Sequence, residues 1–395
     1  MTINKRAAFR RQRMGASRAI AIVLAMMAAG CGGDSPSAPT PTPTVEPGNP
    51  VRVVVFYDED GNRQLDGNER ARLPHVSVEV SGRRGETEVL TGHGVVNGVP
   101  AGQHTVSIDA ATLPPFYVAG PVRSVTVPTS AEVELAATLR IGNNRPNVYM
   151  AFGDSITAGD GSSDGNGYPT LLEQRLRGYF GRGSVINRGA TATRSTEGVG
   201  RIQRNLGLTN PAYTLILYGT NDWNQSACNS DITTCFTQAS FRSMIQQTKA
   251  NGSLPIVSTI IPCNTGFNAN APPDRNERIQ QMNAQIRSLA QTEGVPVAES
   301  YNAFITAAAG NLRSLFVDHI HPNDTGHDLI AQSFYEAITR ATGGNAASFG
   351  EPPEIAFAPS RFKKAGSEGR IPFAPIFPET SIGARPLDIR PLDRD

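Results

Sequence analysis

Hydrophobic and polar positions divide the chain into two regions with different periodicity. In residues 51–140, short β-branched or alternating runs are separated by clusters of Gly, Pro and Asn, at intervals typical of an all-β sandwich. In residues 145–343, apolar runs alternate with longer helical patterns, which predicts βαβ units and a parallel sheet. We therefore expect a small β-sandwich domain followed by an α/β domain.

Three predicted strand ends of the α/β region carry residues suited to catalysis. In an open parallel sheet, ligands bind outside the carboxyl ends of the strands. Ser155 follows the apolar run that ends at Phe152, Gly189 ends the run "SVINRG", and Asn221 lies in "GTND". A serine after a strand is commonly only a helix N-cap. Its assignment as a nucleophile therefore requires a histidine, a carboxylate and oxyanion donors.

An Asp-x-x-His sequence supplies the histidine and the carboxylate. Asp318 precedes His321 by three residues on a predicted turn before a helix, where the carboxylate can hold the imidazole. Asp318 would then fix the tautomer of His321, and His321 would take the proton of Ser155. His319 and His327 are competing candidates, and we expect His321 to be the catalytic histidine.

The reaction also needs donors for the oxyanion of a tetrahedral intermediate. Three are available, namely the backbone N–H groups of Ser155 and Gly189 and the side-chain amide of Asn221. Glycine suits the second position because a side chain there could block close approach. Asparagine suits the third because its amide donates without carrying a charge. Together these residues predict acyl transfer to a serine.

Four sequence blocks resemble those of the SGNH (GDSL-type) hydrolases. They are "GDSITAG", "NRGA", "GTND" and "DHIHP", and they extend over the whole α/β region in this order. The resemblance implies a three-layer α/β/α, flavodoxin-like fold, hydrolysis of an ester or thioester, and no cofactor for catalysis. It also implies the roles of the individual residues: Ser155 as nucleophile, Gly189 and Asn221 in the oxyanion hole, and Asp318 with His321 as the remaining catalytic pair.

An acidic segment of the first region has the spacing of a calcium loop. Oxygen ligands fall at the first, third, fifth, seventh, ninth and twelfth positions, which are Asp58, Asp60, Asn62, Gln64 (through its carbonyl), Asp66 and Glu69. Arg63 stands at the sixth position, where glycine is usual. We expect a structural calcium ion here, and the alternative is a solvated acidic turn. The surrounding sequence resembles the B-type sandwich repeats of bacterial surface adhesins.

The two ends of the chain have compositions that do not predict a folded core. Residues 1–31 combine a basic stretch, a short apolar stretch and "AAGC", which resembles a bacterial lipoprotein signal with Cys31 lipidated. Plain secretion is the alternative. Residues 32–50 are rich in Pro and Thr and predict a semi-rigid linker. Residues 344–395 are rich in Pro and Gly and predict an extended or disordered tail. We therefore expect an exported protein, anchored by lipid to a membrane of the bacterial cell envelope.

Charge and cysteine content restrict the partners. The chain has 36 Lys and Arg against 35 Asp and Glu. Outside its first twenty residues we find no concentrated basic field of the kind that a nucleic-acid partner requires. Cys228 and Cys235 are close in sequence and predict a disulfide, which leaves Cys263 unpaired. The sequence does not predict an oligomeric state.

These observations predict an exported serine esterase that acts on a small-molecule or envelope ester, such as a lipid or an acetylated carbohydrate. The alternative is a calcium-stiffened adhesion protein of the cell surface whose hydrolase domain is weakly active or inactive.

Overall fold

The computed structural model describes residues 48–224, 228, 231–267 and 274–340. The expected signal segment with Cys31, most of the expected linker and the expected tail lie outside the described residues. Within the described ranges, none of the helices combines the length and the apolar character needed to cross a bilayer.

The first region contains two four-stranded sheets within its described residues. The strands are β1 (Asn49–Tyr57), β2 (Ser77–Val80), β3 (Arg83–Glu86), β4 (His93–Val99), β5 (Gly102–Ile108), β6 (Val118–Ala119), β7 (Arg123–Val127) and β8 (Val133–Thr138). One sheet has the order β4-β1-β8-β6 and the other β3-β2-β5-β7. Burial alternates along β2 and β4, so that Val78, Val80 and Val96 enter a shared core while their neighbours are more exposed.

A five-stranded parallel sheet forms the centre of the second region as described. Its strands are β9 (Arg145–Gly153), β10 (Ser184–Gly189), β11 (Pro211–Leu217), β12 (Leu254–Ser258) and β13 (Val297–Ala298). Their order is β10-β9-β11-β12-β13. Gly153 of β9 pairs with Gly189 on one side and Leu217 on the other. The ends of three strands therefore lie side by side, and the chain segments that follow them begin at one edge of the sheet.

Helices cover both faces of this sheet. They are α1 (Ser155–Ala158), α2 (Gly167–Phe180), α3 (Ser195–Thr209), α4 (Thr220–Trp223), α5 (Thr237–Ala250), α6 (Arg275–Glu293), α7 (Ser300–Ala308) and α8 (Asp324–Thr339). In β9, Tyr149 and Ala151 share a core with α2, α7 and α8, whereas Met150 and Phe152 share one with α3, α5 and α6. A strand buried on both faces needs apolar residues at successive positions, which explains its continuous apolar run. The predicted α/β fold is confirmed.

The first region packs against the amino-terminal ends of the parallel strands. The ring of Phe116 contacts that of Tyr213 in β11, with centroids 6.1 Å apart. The carboxylate of Glu59 accepts a hydrogen bond of 2.6 Å from Nδ2 of Asn147 in β9. Both contacts lie near the start of their parallel strand. The first region therefore lies at the sheet edge opposite the one that carries Ser155.

Candidate active site

Ser155 lies at the tight turn where β9 ends and α1 begins. Gly153 is required there because a Cβ would overlap the Thr157 side chain and the carbonyl of Leu217. Asp154 caps α1, and its Oδ1 accepts a 3.0 Å hydrogen bond from the N–H of Ile156. The turn therefore presents Ser155 as the first residue of a short helix beyond the edge of the sheet.

A series of two hydrogen bonds links Ser155 to His321 and Asp318. Ser155 Oγ lies 3.1 Å from His321 Nε2, and His321 Nδ1 lies 2.6 Å from Asp318 Oδ2. The other carboxylate oxygen of Asp318 accepts hydrogen bonds from the N–H groups of Ile320 and His321. Burial alone would raise the pKa of Asp318, but the hydrogen bonds from the His321 ring and from these N–H groups hold it below its ordinary value. An ionised carboxylate at Nδ1 keeps the Nε2 lone pair directed at the serine hydroxyl.

His327, one of the competing histidines, is buried and bridges two segments. Its Nδ1 accepts from the N–H of Tyr168 at 3.2 Å, and its Nε2 lies 3.1 Å from the carbonyl of Asp160. Asp324 precedes His327 by three residues, so the spacing argument alone does not separate His327 from His321. The structure does, because Asp324 accepts a hydrogen bond from Ser163 instead. Burial lowers the pKa of His327, which favours a neutral ring.

The two oxyanion donors predicted outside the nucleophile turn already have acceptors within the protein. The N–H of Gly189 donates to Asn187 Oδ1 at 2.8 Å, and Nδ2 of Asn221 donates to the carbonyl of Thr193 at 2.9 Å. An amide Nδ2 carries two hydrogens, whereas a backbone N–H carries one. Gly189 can therefore receive an oxyanion only if Asn187 shares or releases its N–H. A Cβ on Gly189 would overlap the backbone of Ala158, which explains the glycine.

Asp222 supports the turn that carries Asn221. Its Oδ1 accepts from the N–H of Ser195 at the start of α3, at 2.9 Å. Its Oδ2 accepts from Oγ1 of Thr237 at the start of α5, at 2.6 Å. Both carboxylate oxygens are engaged and the residue is buried. Asp222 therefore acts by joining α4 to two helices.

Asp154 is a buried carboxyl group directly beside the nucleophile. Its Oδ2 meets no hydrogen-bond partner within the described part of the chain. Burial, with the negative charge of Asp222 as a smaller cause, raises the pKa of Asp154 to about 7. Its protonation state therefore changes near neutral pH.

Arg201 of α3 is a charged residue at the strand ends, and the sequence did not indicate it. It donates hydrogen bonds to the carbonyls of Gly153 and Arg188, and to the hydroxyl of Tyr218. No sequence signal distinguishes Arg201, because the same helix carries Arg204 on its exposed surface.

A disulfide joins Cys228 to Cys235. Cys263 is free and buried, and burial raises the pKa of its thiol to about 11. Its backbone is held by the side chain of Asn276. This unreactive thiol has the character of a packing residue.

The structure brings together three of the six predicted calcium ligands. Carboxylate oxygens of Asp58, Asp60 and Glu69 lie within 4.8 Å of one another. Asp66, the fourth predicted carboxylate, lies outside this group. Its Oδ1 accepts from the N–H of Asn68, and Asn62 Oδ1 accepts from the N–H of Gln64. Burial, aided by neighbouring carboxylates, raises the pKa of Glu69 to about 7. Arg63 adopts φ 65°, the conformation for which this loop position usually carries glycine.

A family model matches the part of the chain that carries the site. Residues 151–329 match the model of the GDSL-like Lipase/Acylhydrolase family. No curated protein sequence matches the chain significantly. The chain is similar to the structure of an acetylxylan esterase from Geobacillus stearothermophilus, with 21% identity, coverage of 51% of this chain and 96% of that one, and a TM-score of 0.42.

Two further solved structures are similar to the same extent. A lipase/acylhydrolase from Enterococcus faecalis has 21% identity, coverage of 49% of this chain and 95% of that one, and a TM-score of 0.40. LAE5, an alpha/beta hydrolase enzyme from the metagenome of Lake Arreo, Spain, has 22% identity, coverage of 50% and 97%, and a TM-score of 0.41. The family match spans all four sequence blocks and the three residues of the hydrogen-bonded series. Residues 151–329 therefore form a GDSL-like lipase/acylhydrolase domain.

Proposed function

We propose that this protein is a serine esterase that hydrolyses carboxylic esters through an acyl-enzyme intermediate. The observation that carries the proposal is the hydrogen-bonded series from Ser155 through His321 to Asp318, with distances of 3.1 and 2.6 Å. It lies at the carboxyl ends of a parallel sheet, where α/β proteins bind ligands, and within the segment that matches the hydrolase family.

In the proposed mechanism, Ser155 Oγ attacks the ester carbonyl as its proton passes to His321 Nε2. Asp318 stabilises the resulting imidazolium. The N–H groups of Ser155 and Gly189 and the amide of Asn221 receive the oxyanion of the tetrahedral intermediate. The intermediate collapses to an acyl-enzyme, and the leaving alkoxide takes the proton from His321. Water then attacks the acyl group by the same route and releases the carboxylic acid.

The proposed substrate is an ester of a small molecule or of the cell envelope, either a lipid acyl ester or an acetylated carbohydrate. Export through residues 1–31 and lipidation of Cys31 are part of this proposal. Its support is the order of basic, apolar and small residues before the cysteine. The disulfide between Cys228 and Cys235 is consistent with an oxidising compartment.

We also propose that residues 51–140 form a β-sandwich stiffened by a calcium ion. Support comes from the three carboxylates within 4.8 Å of one another, two of which, Asp58 and Glu69, are buried. Carboxylate oxygens are the ligands that calcium prefers. The ion would be structural, because this loop lies at the sheet edge opposite Ser155. Calcium should raise the thermal midpoint of the wild type, and this rise should be absent in Glu69→Gln and retained in Glu88→Gln, which changes an exposed residue.

The esterase proposal is tested by hydrolysis of p-nitrophenyl esters from acetyl to palmitoyl. Full-length protein, Ser155→Ala and the control Ser163→Ala, which changes an exposed serine of the following loop, are compared under the same conditions. We expect activity in the wild type and the control, and loss of activity in Ser155→Ala. The preferred chain length separates acetylated from lipid substrates. Folded wild-type protein with no activity towards any ester would instead favour the surface-binding alternative.

A further inference from the structure

Arg201 holds its guanidinium at the carboxyl ends of β9 and β10. Its Nη2 donates to the carbonyls of Gly153 and of Arg188, the latter at 2.9 Å, and its Nε donates to the hydroxyl of Tyr218 at 2.9 Å. The guanidinium carbon lies 4.3 Å from the centre of the Phe152 ring. The hydrogen bonds and the cation–π contact fix the position of the cation.

The carbonyl of Arg188 belongs to the same peptide group as the N–H of Gly189. A peptide group is planar, so a bond that fixes the carbonyl also fixes the direction of the N–H at its other end. A cation at the carbonyl oxygen also draws electron density from the amide, which makes the N–H a stronger donor. Arg201 can therefore act on a proposed oxyanion donor without touching the substrate.

The side chain of Asn187 explains why this peptide group needs the bond from Arg201 to its carbonyl. It accepts the Gly189 N–H at 2.8 Å. When an oxyanion takes its place, the peptide loses one of the bonds that hold it. The bond from Arg201 to the carbonyl end is independent of that exchange. The same cation also binds the carbonyl of Gly153, whose peptide continues into the nucleophile turn, so the donor and the nucleophile are positioned by one side chain.

We propose that Arg201 is a positioning residue of the oxyanion hole, which orients and polarises the peptide between Arg188 and Gly189. This inference rests on the proposed esterase function. It assigns a role to a helix residue that lies outside the four sequence blocks.

The test compares Arg201→Met, Arg201→Lys and Arg204→Met in the full-length protein. Methionine keeps a long side chain and removes the charge and the donors, whereas lysine keeps the charge and part of the hydrogen bonding. Arg204 is an exposed arginine of the same helix and serves as the matched control. For each variant we measure kcat and KM for a p-nitrophenyl ester, and the inhibition constant of a trifluoromethyl ketone with the same acyl chain.

We expect kcat of Arg201→Met to fall by about 100-fold, comparable to the loss of one oxyanion donor, with little change in KM. The inhibition constant of the trifluoromethyl ketone, which forms an oxyanion in the site, should rise in proportion to the loss of kcat/KM. Arg201→Lys should be intermediate and Arg204→Met should equal the wild type. If Arg201→Met does not fold, as judged by circular dichroism, Arg201→Lys gives the same comparison.

Two results would overturn the inference. One is an Arg201 variant with a lowered thermal midpoint and an unchanged kcat, which would assign the residue to stability alone. The other is a loss confined to KM. Both results count against the inference only when the wild type has activity that depends on Ser155. An inactive wild type would overturn the proposed function itself, and with it this inference.

Discussion

The carboxylate of Asp318 lies 2.6 Å from Nδ1 of His321, and one of its oxygens also accepts two backbone N–H groups. This arrangement fixes the ring of His321 with Nε2 towards Ser155. The three-residue spacing is local, so the turn itself brings the two side chains together. Asp324 and His327 have the same spacing but different partners, and this pair provides a natural control.

Replacement of Asp318 by Asn should lower kcat by about 10⁴-fold with little change in KM, because an amide no longer fixes the reactive tautomer of His321. Asp324→Asn changes the equivalent position before His327 and should leave kcat near the wild-type value. Steady-state kinetics on one ester measures both. Equal losses in the two variants would argue against the assignment of Asp318.

Replacement of Asn187 shows whether its side chain competes with the oxyanion for the N–H of Gly189 or orients that N–H. If Asn187 only occupies the N–H before the oxyanion arrives, Asn187→Ala should keep or raise kcat, by up to about tenfold for one hydrogen bond. Asn187→Asp should lower kcat, because a carboxylate holds the N–H more strongly and repels the oxyanion. The kcat values of both variants are the measurement. A large loss in Asn187→Ala would show that Asn187 orients the donor.

Asp154 should make stability depend on pH. Its pKa is raised to about 7 from an ordinary value of 3.8, so between these values the folded state keeps a proton that the unfolded state releases. The contribution of this group to the free energy of unfolding is therefore complete below about pH 3.8, declines as the pH rises, and is lost once the pH passes about 7. Asp154→Asn retains an acceptor for Ile156 and removes the titration.

The measurement is the difference in thermal midpoint between pH 5 and pH 8 for wild type and Asp154→Asn. At pH 8 the thermal midpoint of Asp154→Asn should be higher relative to that of the wild type than it is at pH 5. A constant difference across this range would contradict the burial of a titrating carboxyl group.

Tyr213 carries a buried hydroxyl beside the first region. Its Oη meets no hydrogen-bond partner among the described residues, and its ring stacks on Tyr149 at 4.9 Å. Tyr213→Phe should therefore raise the free energy of unfolding, by about 1 kcal/mol, because an unpaired buried hydroxyl is costly. Tyr168→Phe should instead lower the free energy of unfolding, because it removes a hydroxyl that lies 3.2 Å from Thr157 Oγ1. Urea unfolding measures both, and a destabilised Tyr213→Phe would contradict the prediction.

The position of Tyr213 also affects how deletion variants are interpreted. Phe116 and Glu59 of the first region contact β11 and β9 directly. Deletion of residues 51–139 would expose Tyr213 and Tyr149, both almost fully buried. Loss of activity in such a deletion would therefore report lost packing and would not test a binding role of the first region.

The sequence predicted the features that depend on local pattern. The apolar run that ends at Phe152 predicted a strand, and the structure has β9 there with its last seven residues buried. Other features depend on contacts between distant segments. Arg201 reaches two carbonyls 48 and 13 residues away. Arg201 does not differ in type or spacing from ordinary surface arginines, so pattern alone could not identify it. Asn187 stands in the block "NRGA", but the block does not show that its side chain accepts the N–H of Gly189.

A covalent acyl-enzyme on Ser155 is central to the proposed function, and labelling with a fluorophosphonate tests for the reactive serine most directly. The full-length protein, its Ser155→Ala variant and the Ser163→Ala control are treated alike, and the modified peptide is identified by mass spectrometry. We predict one modification, on Ser155, in the wild type and the control, and none in Ser155→Ala. Folded wild-type protein that remains unlabelled, or is labelled at another residue, would contradict the account.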